Sequence, residues 1–509
     1  MNQLLLRSSS YLWRHGNRLL KVQLLSTNAA TSSFSSASSP QIDSLQRRIS
    51  TAGDPSVSMI SVIDQWLEEG KKVKMSELRK FIKLLRKYRR CKQALQISEW
   101  MTGQGGFRLS GSDVAVQLDL IVKVHGLEKA EAYFNTISES SRDYQVYGAL
   151  LNCYAYANQL EKAETIMQNL KDMGFLKTAL PYNVMLGLYS RMGRYEKMDA
   201  LMQEMEEKGI ECDTFTFNIR LQAYVACSDF DGMEKLLTKM EADPHIKIGF
   251  HSYLVAGNGY LLSGLTDKSL KLLRKSEQLI SDKSRKFAYE CLLTSYAAAG
   301  SKAEVYRVWN LYKQMGKFFN AGYISMIGSL VKLDDLDSAE KIWEEWDSGM
   351  ELFDIRIPNL MISAYSRKGD WEKAEAYVKK IIEKGEEPNV ISWDHLAAGY
   401  LRGGQITKGV ESIKKAISTC KPGRTPRLHT LATCLNELKD QGDKEAAEEL
   451  LKMINEQCHL STFAYDRLSS CINDEDLASN VFDQIEDDDG MFDESPTEAA
   501  LPETETPEN

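Results

Sequence analysis

The sequence predicts an all-α protein, a right-handed α-solenoid of stacked helix-turn-helix repeats of about 35 residues each. Three observations support this prediction: a tyrosine recurs at a fixed interval, a small residue follows about nine positions later, and a glycine closes many intervals. A chain of 509 residues is also too long for one hydrophobic core. A repeat architecture avoids that limit because each repeat packs only on its neighbours.

The tyrosines give the period of the repeat. Successive members of the series lie 35 or 36 residues apart, except for one interval of 69 residues in which Leu330 takes the middle position. The series is Tyr154, Tyr189, Tyr224, Tyr260, Tyr296, Tyr365 and Tyr400. Such regularity is typical of stacked helical repeats.

Each repeat is predicted to consist of two antiparallel helices. The first helix contains the tyrosine, and a turn such as residues 192–194 leads into the second, whose apolar residues follow helical spacing. A glycine such as Gly209 ends the second helix. Repeats are predicted to begin near residues 75, 111, 144, 179, 214, 250, 286, 320, 355, 390 and 425, and those near 111, 250 and 425 fit the pattern least well.

The N-terminal segment differs from the repeats. Residues 1–42 contain four basic residues and no acidic one, and the basic residues share one helical face opposite leucines, before a serine-rich stretch. This pattern is typical of a transit peptide with a Ser-rich linker, and it favours the mitochondrion, with the chloroplast as the alternative. The remaining alternative is a disordered basic tail.

The rest of the chain divides into four predicted segments. Residues 43–74 form an N-terminal helical cap, 75–459 about eleven repeats, and 460–472 a C-terminal cap. Residues 473–509 contain fourteen acidic residues and no basic one, so we expect a disordered acidic tail. No run approaches the ~20 apolar residues that a membrane-spanning helix requires, so no membrane association is expected.

Positive charge is concentrated in residues 71–92, where eleven basic residues accompany Glu77 alone. Lys80, Lys83 and Lys87 share one face of the predicted helix, and apolar residues share another. The segment is interpreted as an amphipathic helix that turns one side to a polyanion such as RNA phosphates. The alternative is a solvated capping helix.

Two repeats carry the clearest motifs. Residues 182–193 are Tyr-Asn-x5-Tyr-x-Arg-x-Gly, and residues 209–213 close that repeat as Gly-x-x-x-Asp. Residues 385–389 close another repeat as Gly-x-x-Pro-Asn. A repeat of this length with these motifs resembles the pentatricopeptide repeat (PPR) family, and the uniform length resembles its P class, over about residues 75–459.

The resemblance implies that each repeat can contact one base of single-stranded RNA. In that family the fifth residue contacts the base edge, the last residue supports it, and second residues of adjacent repeats sandwich the ring. Asn183 with Asp213 is similar to a uridine-reading pair whose base lies between Leu180 and Phe215. Asn359 with Asn389 is similar to a pyrimidine-reading pair, and Asn218 has the right first member but an irregular partner near Gly249.

The other repeats depart from this pattern, so the sequence does not predict a long coded RNA target. Their fifth residues include Leu254 and Ile324, which cannot form hydrogen bonds with a base through their side chains. A second feature is the basic residue two positions after the tyrosine position, which the resemblance places toward RNA phosphates. This row comprises Lys87, Lys123, Arg191, Lys332, Arg367 and Arg402, and its alternative interpretation is an ordinary solvated helix position.

Signature motifs of enzymes are absent from the sequence: it contains no P-loop, no HExxH and no GxSxG. Five cysteines and histidines between residues 420 and 459 match no zinc-ligand spacing, so neither a metal nor a cofactor is expected. The predicted function is therefore noncovalent binding of single-stranded RNA in mitochondrial RNA metabolism or translation. The alternative is a scaffold in a ribonucleoprotein such as the mitochondrial ribosome, with rRNA and mitoribosomal or other organellar proteins as partners.

Overall fold

A computed structural model describes residues 44–51, 57–88, 90–103, 109–316, 319–349, 353–420, 425–458, 460 and 462–473. In these residues the chain forms 25 α-helices and one 3-10 turn, and it contains no strand. None of these helices combines the length and the apolar character that crossing a membrane would require. The predicted transit peptide and the acidic residues after Asn473 lie outside the described residues.

The described residues divide into two compact units, one ending at Ile248 and the other beginning at Gly249. The helices of the first unit are α1 Leu45–Thr51, α2 Met59–Glu68, α3 Met75–Lys87, α4 Cys91–Gly103, α5 Gly111–His125, α6 Leu127–Thr136, α7 Tyr144–Tyr156, α8 Leu160–Asp172, α9 Ala179–Arg191, α10 Tyr195–Glu207, α11 Thr214–Ala226 and α12 Phe230–Ala242.

The second unit continues the same alternation. Its helices are α13 Phe250–Leu262, α14 Thr266–Gln278, α15 Arg285–Ala298, α16 Lys302–Lys313, α17 Asn320–Lys332, α18 Leu336–Gly349, α19 Arg356–Lys368, α20 Trp371–Glu383, α21 Val390–Arg402, α22 Ile406–Ser418, α23 Leu428–Asp440, α24 Lys444–Gln457 and α25 Thr462–Asn473.

The helices pair into hairpins that stack within each unit, which confirms the predicted all-α repeat architecture. The first helices from α3 onward begin within three residues of the predicted repeat starts. Many hairpin turns contain a glycine in the left-handed conformation, such as Gly193 with a φ of 65°, whereas Asn158, Ser228 and Asp334 adopt this conformation in three others. The backbone N–H of Arg194 then donates to the Tyr189 carbonyl at 2.8 Å, which ends α9 and redirects the chain into α10.

In several repeats the recurring tyrosine links its hairpin to the preceding one. The Tyr189 hydroxyl donates to Glu164 Oε1 at 2.9 Å, and Lys197 Nζ lies 2.6 Å from the same carboxylate oxygen. Burial and this carboxylate raise the pKa of Tyr189, so the hydroxyl stays protonated as the donor. Since each such contact spans two hairpins, the tyrosine period is also the stacking period.

The later repeats contain the same arrangement. Tyr365 donates to Glu340, which also lies 3.3 Å from Lys373 Nζ, and that ammonium group is 4.8 Å from the centre of the Tyr365 ring. Although burial opposes the change, hydrogen bonds from Tyr365 and Lys373 lower the pKa of Glu340. The ionised carboxylate therefore holds two hairpins together through one phenol and one ammonium group.

Candidate RNA-binding surface

The last residue of a repeat is the N-cap of the next first helix. At α11 the Asp213 carboxylate accepts the backbone N–H of Thr216 at 2.8 Å, and the Thr216 hydroxyl accepts the backbone N–H of Asp213 at 3.2 Å. This capping box satisfies two backbone donors that the helix itself cannot pair. A carboxylate at this end also interacts favourably with the helix dipole.

Asn183 joins this capping box from the preceding repeat. Its Nδ2 donates to Asp213 Oδ1 at 3.2 Å, and the Thr216 hydroxyl donates to its Oδ1 at 2.8 Å. Asn183 is 3% exposed and Thr216 is fully buried, whereas Asp213 is exposed. The structure thus brings together the two residues that the sequence pairs, and it adds Thr216, which sequence reasoning missed.

The same triangle recurs in the other unit. Asn359 Nδ2 donates to Asn389 Oδ1 at 3.3 Å, and the Ser392 hydroxyl donates to Asn359 Oδ1 at 2.6 Å. Asn389 caps α21 by accepting the backbone N–H of Ser392 at 3.0 Å. Asn359 and Ser392 are both fully buried. We call these two sets of three residues, Asn183–Asp213–Thr216 and Asn359–Asn389–Ser392, the amide frames.

The predicted base-sandwiching residues lie beside the first amide frame. Leu180, in the first turn of α9, has 43% of its surface exposed, a large fraction for an apolar residue. Phe215, in the first turn of α11, is half-buried and packs against the hydrophobic core. In the other unit the corresponding positions are Arg356, which forms an ion pair of 2.5 Å with Asp354, and the half-buried Ile391.

In two other repeats the fifth residue forms an ion pair with a residue at the start of the next repeat. The Arg79 guanidinium donates to both carboxylate oxygens of Asp113 at 2.8 and 2.7 Å. Asp394 accepts the Arg427 guanidinium at 2.5 Å and the backbone N–H of Arg427 at 3.2 Å. Burial raises the pKa of Asp394 even though Arg427 opposes this shift. The side chains of Arg79 and Asp394 therefore bind the following repeat.

The remaining fifth residues form no amide frame. Leu254 is buried in the hydrophobic core, and Ile324 packs against it. Glu290 accepts the Tyr312 hydroxyl at 3.1 Å. Asn218 lies half-buried in α11, and Gly249, at the end of its repeat, has no side chain with which to form a frame.

The predicted phosphate-facing row lies at the C-terminal ends of the first helices. Lys332, Arg367 and Arg402 are exposed there, and so is Lys87. Two arginines of the row also reach back one repeat: Arg191 donates to the Ala155 carbonyl, and Arg402 donates to the Ser366 carbonyl at 3.3 Å. Cations at a helix C-terminus are stabilising. These arginines therefore have a packing role that the sequence did not suggest.

Helix α3 contains five of the eleven basic residues between positions 71 and 92. Leu78, Phe81 and Leu85 are buried in the core, whereas Lys80, Lys83 and Lys87 are exposed. Two arginines of this helix are neutralised by the following repeat, since Arg79 pairs with Asp113 and Arg86 lies 2.7 Å from Asp119. Among the described residues, Lys83 and Lys87 form no ion pair, so the lysine face of α3 retains positive charge.

Comparison with known proteins identifies the repeats. A model described as PPR repeat family matches residues 177–226, and a model described as PPR repeat matches residues 145–175, 215–244, 323–348 and 357–386. A mitochondrial pentatricopeptide repeat-containing protein of Arabidopsis thaliana is 47% identical over 87% of this chain and 90% of its own length. The chain belongs to the pentatricopeptide repeat family. The model matches to the PPR repeats leave out the repeats that begin at Met75, Gly111, Phe250, Arg285, Val390 and Leu428.

Other PPR relatives extend the comparison. Large ribosomal subunit protein mL101 (rPPR4) of Arabidopsis thaliana is 40% identical over 81% of this chain and 84% of its own length. The crystal structure of the PPR protein PPR10 from maize aligns with 84% of this chain and 65% of its own, at 19% identity and a TM-score of 0.40. The PPR match and the amide frames coincide at Asn183–Asp213, which lies within residues 177–226.

The C-terminal cysteines of this PPR chain form a thiol pair. Cys420 Sγ and Cys458 Sγ are 3.4 Å apart, and Cys434 is buried in the hydrophobic core. Burial raises the pKa of Cys458 to about 12, so its thiol is protonated at neutral pH. The described residues contain no group of three side chains placed to hold a metal ion.

Proposed function

We propose that this PPR protein binds single-stranded RNA noncovalently in mitochondrial RNA metabolism or translation. The observation that carries the proposal is the pair of amide frames: two asparagines that the family's pattern assigns to base reading each contact the last residue of their own repeat. An amide can both donate and accept hydrogen bonds at a base edge, and the exposed Leu180 offers an apolar surface on which the base ring can pack.

The proposed interface combines these base contacts with two sources of positive charge. Lys80, Lys83 and Lys87 on α3 supply a cationic face, and the arginine and lysine row supplies single charges along the repeats. Phosphate contacts supply affinity without sequence preference, whereas base contacts supply specificity. The action is binding alone, without catalysis, and the repeats are of the P class.

The proposed location is the mitochondrion, with the chloroplast as the alternative. Two considerations support it: several relatives carry a mitochondrial designation in their names, and residues 1–42 are basic and lack acidic residues. We propose the domain order of transit peptide, helical cap, repeats over 75–459, C-terminal cap at 460–472 and acidic tail from 473. A fusion of residues 1–50 to a fluorescent protein should enter mitochondria, and replacing Arg7, Arg14 and Arg18 by glutamate should leave it in the cytosol.

A second candidate function is that of a scaffold in the mitochondrial ribosome, with rRNA and mitoribosomal proteins as partners. The ribosomal subunit name of one relative favours it. The concentration of charge on α3 also favours it, because a single basic helix can contact rRNA while the other repeats contact proteins.

Sedimentation of mitochondrial lysate separates the two functions. The full-length protein is followed through a gradient with and without EDTA, which dissociates ribosomal subunits. A free transcript binder stays in light fractions under both conditions, whereas a ribosomal scaffold shifts together with the subunits. Crosslinking in mitochondria followed by sequencing then identifies the RNA. Absence of crosslinked RNA in every fraction would contradict both functions.

A further inference from the structure

The hydroxyl groups of Thr216 and Ser392 occupy equivalent places in the two amide frames. Each is the third residue of its helix, is fully buried, and lies 2.8 or 2.6 Å from the Oδ1 atom of the asparagine from the preceding repeat. The Oδ1 atoms of Asp213 and Asn389 lie 2.9 and 3.0 Å from the same hydroxyl groups, so we assign the single hydroxyl proton to the shorter contact, with the asparagine. Each also accepts a backbone N–H from the residue that caps its own helix, at 3.2 Å in both frames. One hydroxyl thus connects a helix cap to a candidate base-reading side chain.

The helix cap determines which way the asparagine amide points. The N-cap side chain must present an oxygen to the backbone N–H of the third helix residue, and Asp213 and Asn389 do so at 2.8 and 3.0 Å. That oxygen is an acceptor, so the asparagine must turn its Nδ2 toward it, as the contacts of 3.2 and 3.3 Å record. The amide oxygen then faces the hydroxyl of Thr216 or Ser392, which donates to it.

We propose that Thr216 and Ser392 are positioning residues that fix Asn183 and Asn359 as hydrogen-bond donors toward an RNA base. The proposal rests on the RNA-binding function proposed above. Each amide nitrogen has two N–H groups, and in the described part of the chain one of them is bonded to the N-cap side chain. The second can donate to a base that presents an acceptor, such as a pyrimidine carbonyl oxygen, once binding of the base displaces the side chains that cover Asn183 and Asn359. The hydroxyl and the N-cap oxygen together disfavour the flipped amide, which would turn its own oxygen toward the N-cap oxygen and lose the hydrogen bond from the hydroxyl.

The ion-paired repeats support this assignment by contrast. There the fifth residue pairs with a charged residue at the start of the next repeat: Arg79 pairs with Asp113, the third residue of α5, and Asp394 pairs with Arg427, the N-cap residue of α23. In these contacts the charged group of the fifth residue is paired with an opposite charge. In the two amide frames the fifth residue is an uncharged asparagine that keeps one N–H. Thr430, the third residue of α23, also bears a hydroxyl, but it donates to the ion-paired Asp394. The hydroxyl therefore serves to position a base-reading side chain only where the fifth residue of the preceding repeat is an asparagine.

The experiment compares four variants of the full chain against a pool of single-stranded RNA of randomised sequence. Thr216→Val removes one hydroxyl and keeps the branched shape of the side chain. Ser392→Val removes the other and is larger than serine, so Ser392→Thr, which has the same bulk as valine and keeps the hydroxyl, is its matched control. Thr216→Ser keeps the hydroxyl of the first frame. Bound RNA is sequenced, and the base preference at each enriched position is measured together with total affinity. Each valine variant is the control for the other, because its second amide frame is intact.

We expect the wild-type chain to enrich pyrimidines at two positions. Thr216→Val should reduce the preference at one of them by about tenfold and leave the other unchanged, and Ser392→Val should do the reverse. The hydroxyl-retaining variants should keep both preferences. The intact position in each valine variant also shows that the protein is folded.

Two outcomes would overturn the assignment, and they are distinguishable from failure of the proposed function. If both preferences survive in both valine variants, the hydroxyl groups serve only as helix caps. If both preferences vanish together in either valine variant while circular dichroism is unchanged, the hydroxyl does not act on its own frame. If the wild-type chain binds no RNA, or binds it with no base preference, base reading itself is wrong and the scaffold function is favoured.

Discussion

The neighbouring repeats that begin at Arg356 and Val390 place a buried polar side chain at the same position and use it differently. In the first, Asn359 shares neutral hydrogen bonds with Asn389 and Ser392. In the second, Asp394 forms an ion pair with Arg427 and accepts its backbone N–H. The neutral network leaves one N–H of Asn359 to donate to a ligand, whereas the Asp394 carboxylate is already paired with Arg427. The contact of the fifth residue with the next repeat is therefore suited to binding an RNA base in the first repeat, and to stabilising the packing between repeats in the second.

The largest expected effect comes from breaking the charged contact. Asp394→Ala should lower the free energy of unfolding by about 3 kcal/mol, because removing one partner of a buried ion pair leaves the other charge uncompensated. Asn359→Ala should cost less, about 1–2 kcal/mol, since it breaks only neutral hydrogen bonds. Urea denaturation of both variants measures the difference. Equal losses, or a larger loss for Asn359→Ala, would show that the two contacts do not differ in this way.

The comparison extends to α3, where positive charge is dense and the fifth residue, Arg79, is ion-paired. If α3 supplies affinity and the amide frames supply specificity, changing Lys80, Lys83 and Lys87 to Gln should weaken oligouridine binding and its salt dependence. The slope of log affinity against log salt is about −0.7 per phosphate contact on single strands, so it should flatten by up to about 2. Glutamine retains helix propensity, which circular dichroism can check.

A matched variant tests the rival source of phosphate contacts. Changing Arg191, Arg367 and Arg402 to Gln removes three charges from the row along the repeats, and we expect the slope to change little. The reason is that Arg191 and Arg402 already donate to carbonyl groups of the preceding repeat. If this variant flattens the slope and the lysine variant does not, phosphate binding belongs to the row rather than to α3.

The sequence predicts the hairpins well because their signals are local. The tyrosine period and the glycine turns each act within one hairpin or between two adjacent ones, so the helix starts can be anticipated from spacing alone. The contacts between residues 33 to 36 apart could not be anticipated in the same way. Thr216 looks like an ordinary residue of a first helical turn, and Arg402 looks like a solvated cation, until stacking brings each against the preceding repeat.

A smaller effect should follow from changing the base-reading side chain itself. Asn183→Thr replaces an amide by a hydroxyl, and the family's pairing pattern implies a shift of preference at one RNA position from uridine toward guanine. We expect a change of about 1 kcal/mol at that position, comparable to the loss of one base contact. Selection of RNA ligands with both proteins measures it. If the wild-type chain and Asn183→Thr enrich identical motifs, Asn183 does not contact a base, and its amide frame only stabilises the packing between repeats.

The smallest effect separates packing from binding in the arginine row. Arg402 donates to the Ser366 carbonyl near the C-terminus of α19, and a cation there stabilises the helix dipole by about 0.3–1 kcal/mol. Arg402→Gln should therefore lower the melting temperature by a few degrees or less. Lys332→Gln is the control, because Lys332 ends its helix at the same position and is exposed. We expect a smaller change there, because Lys332→Gln removes a cation only from the end of its own helix. The opposite outcome is that both variants have the same melting temperature and only Arg402→Gln weakens oligouridine binding. Arg402 would then bind RNA phosphate rather than stabilise the packing between repeats.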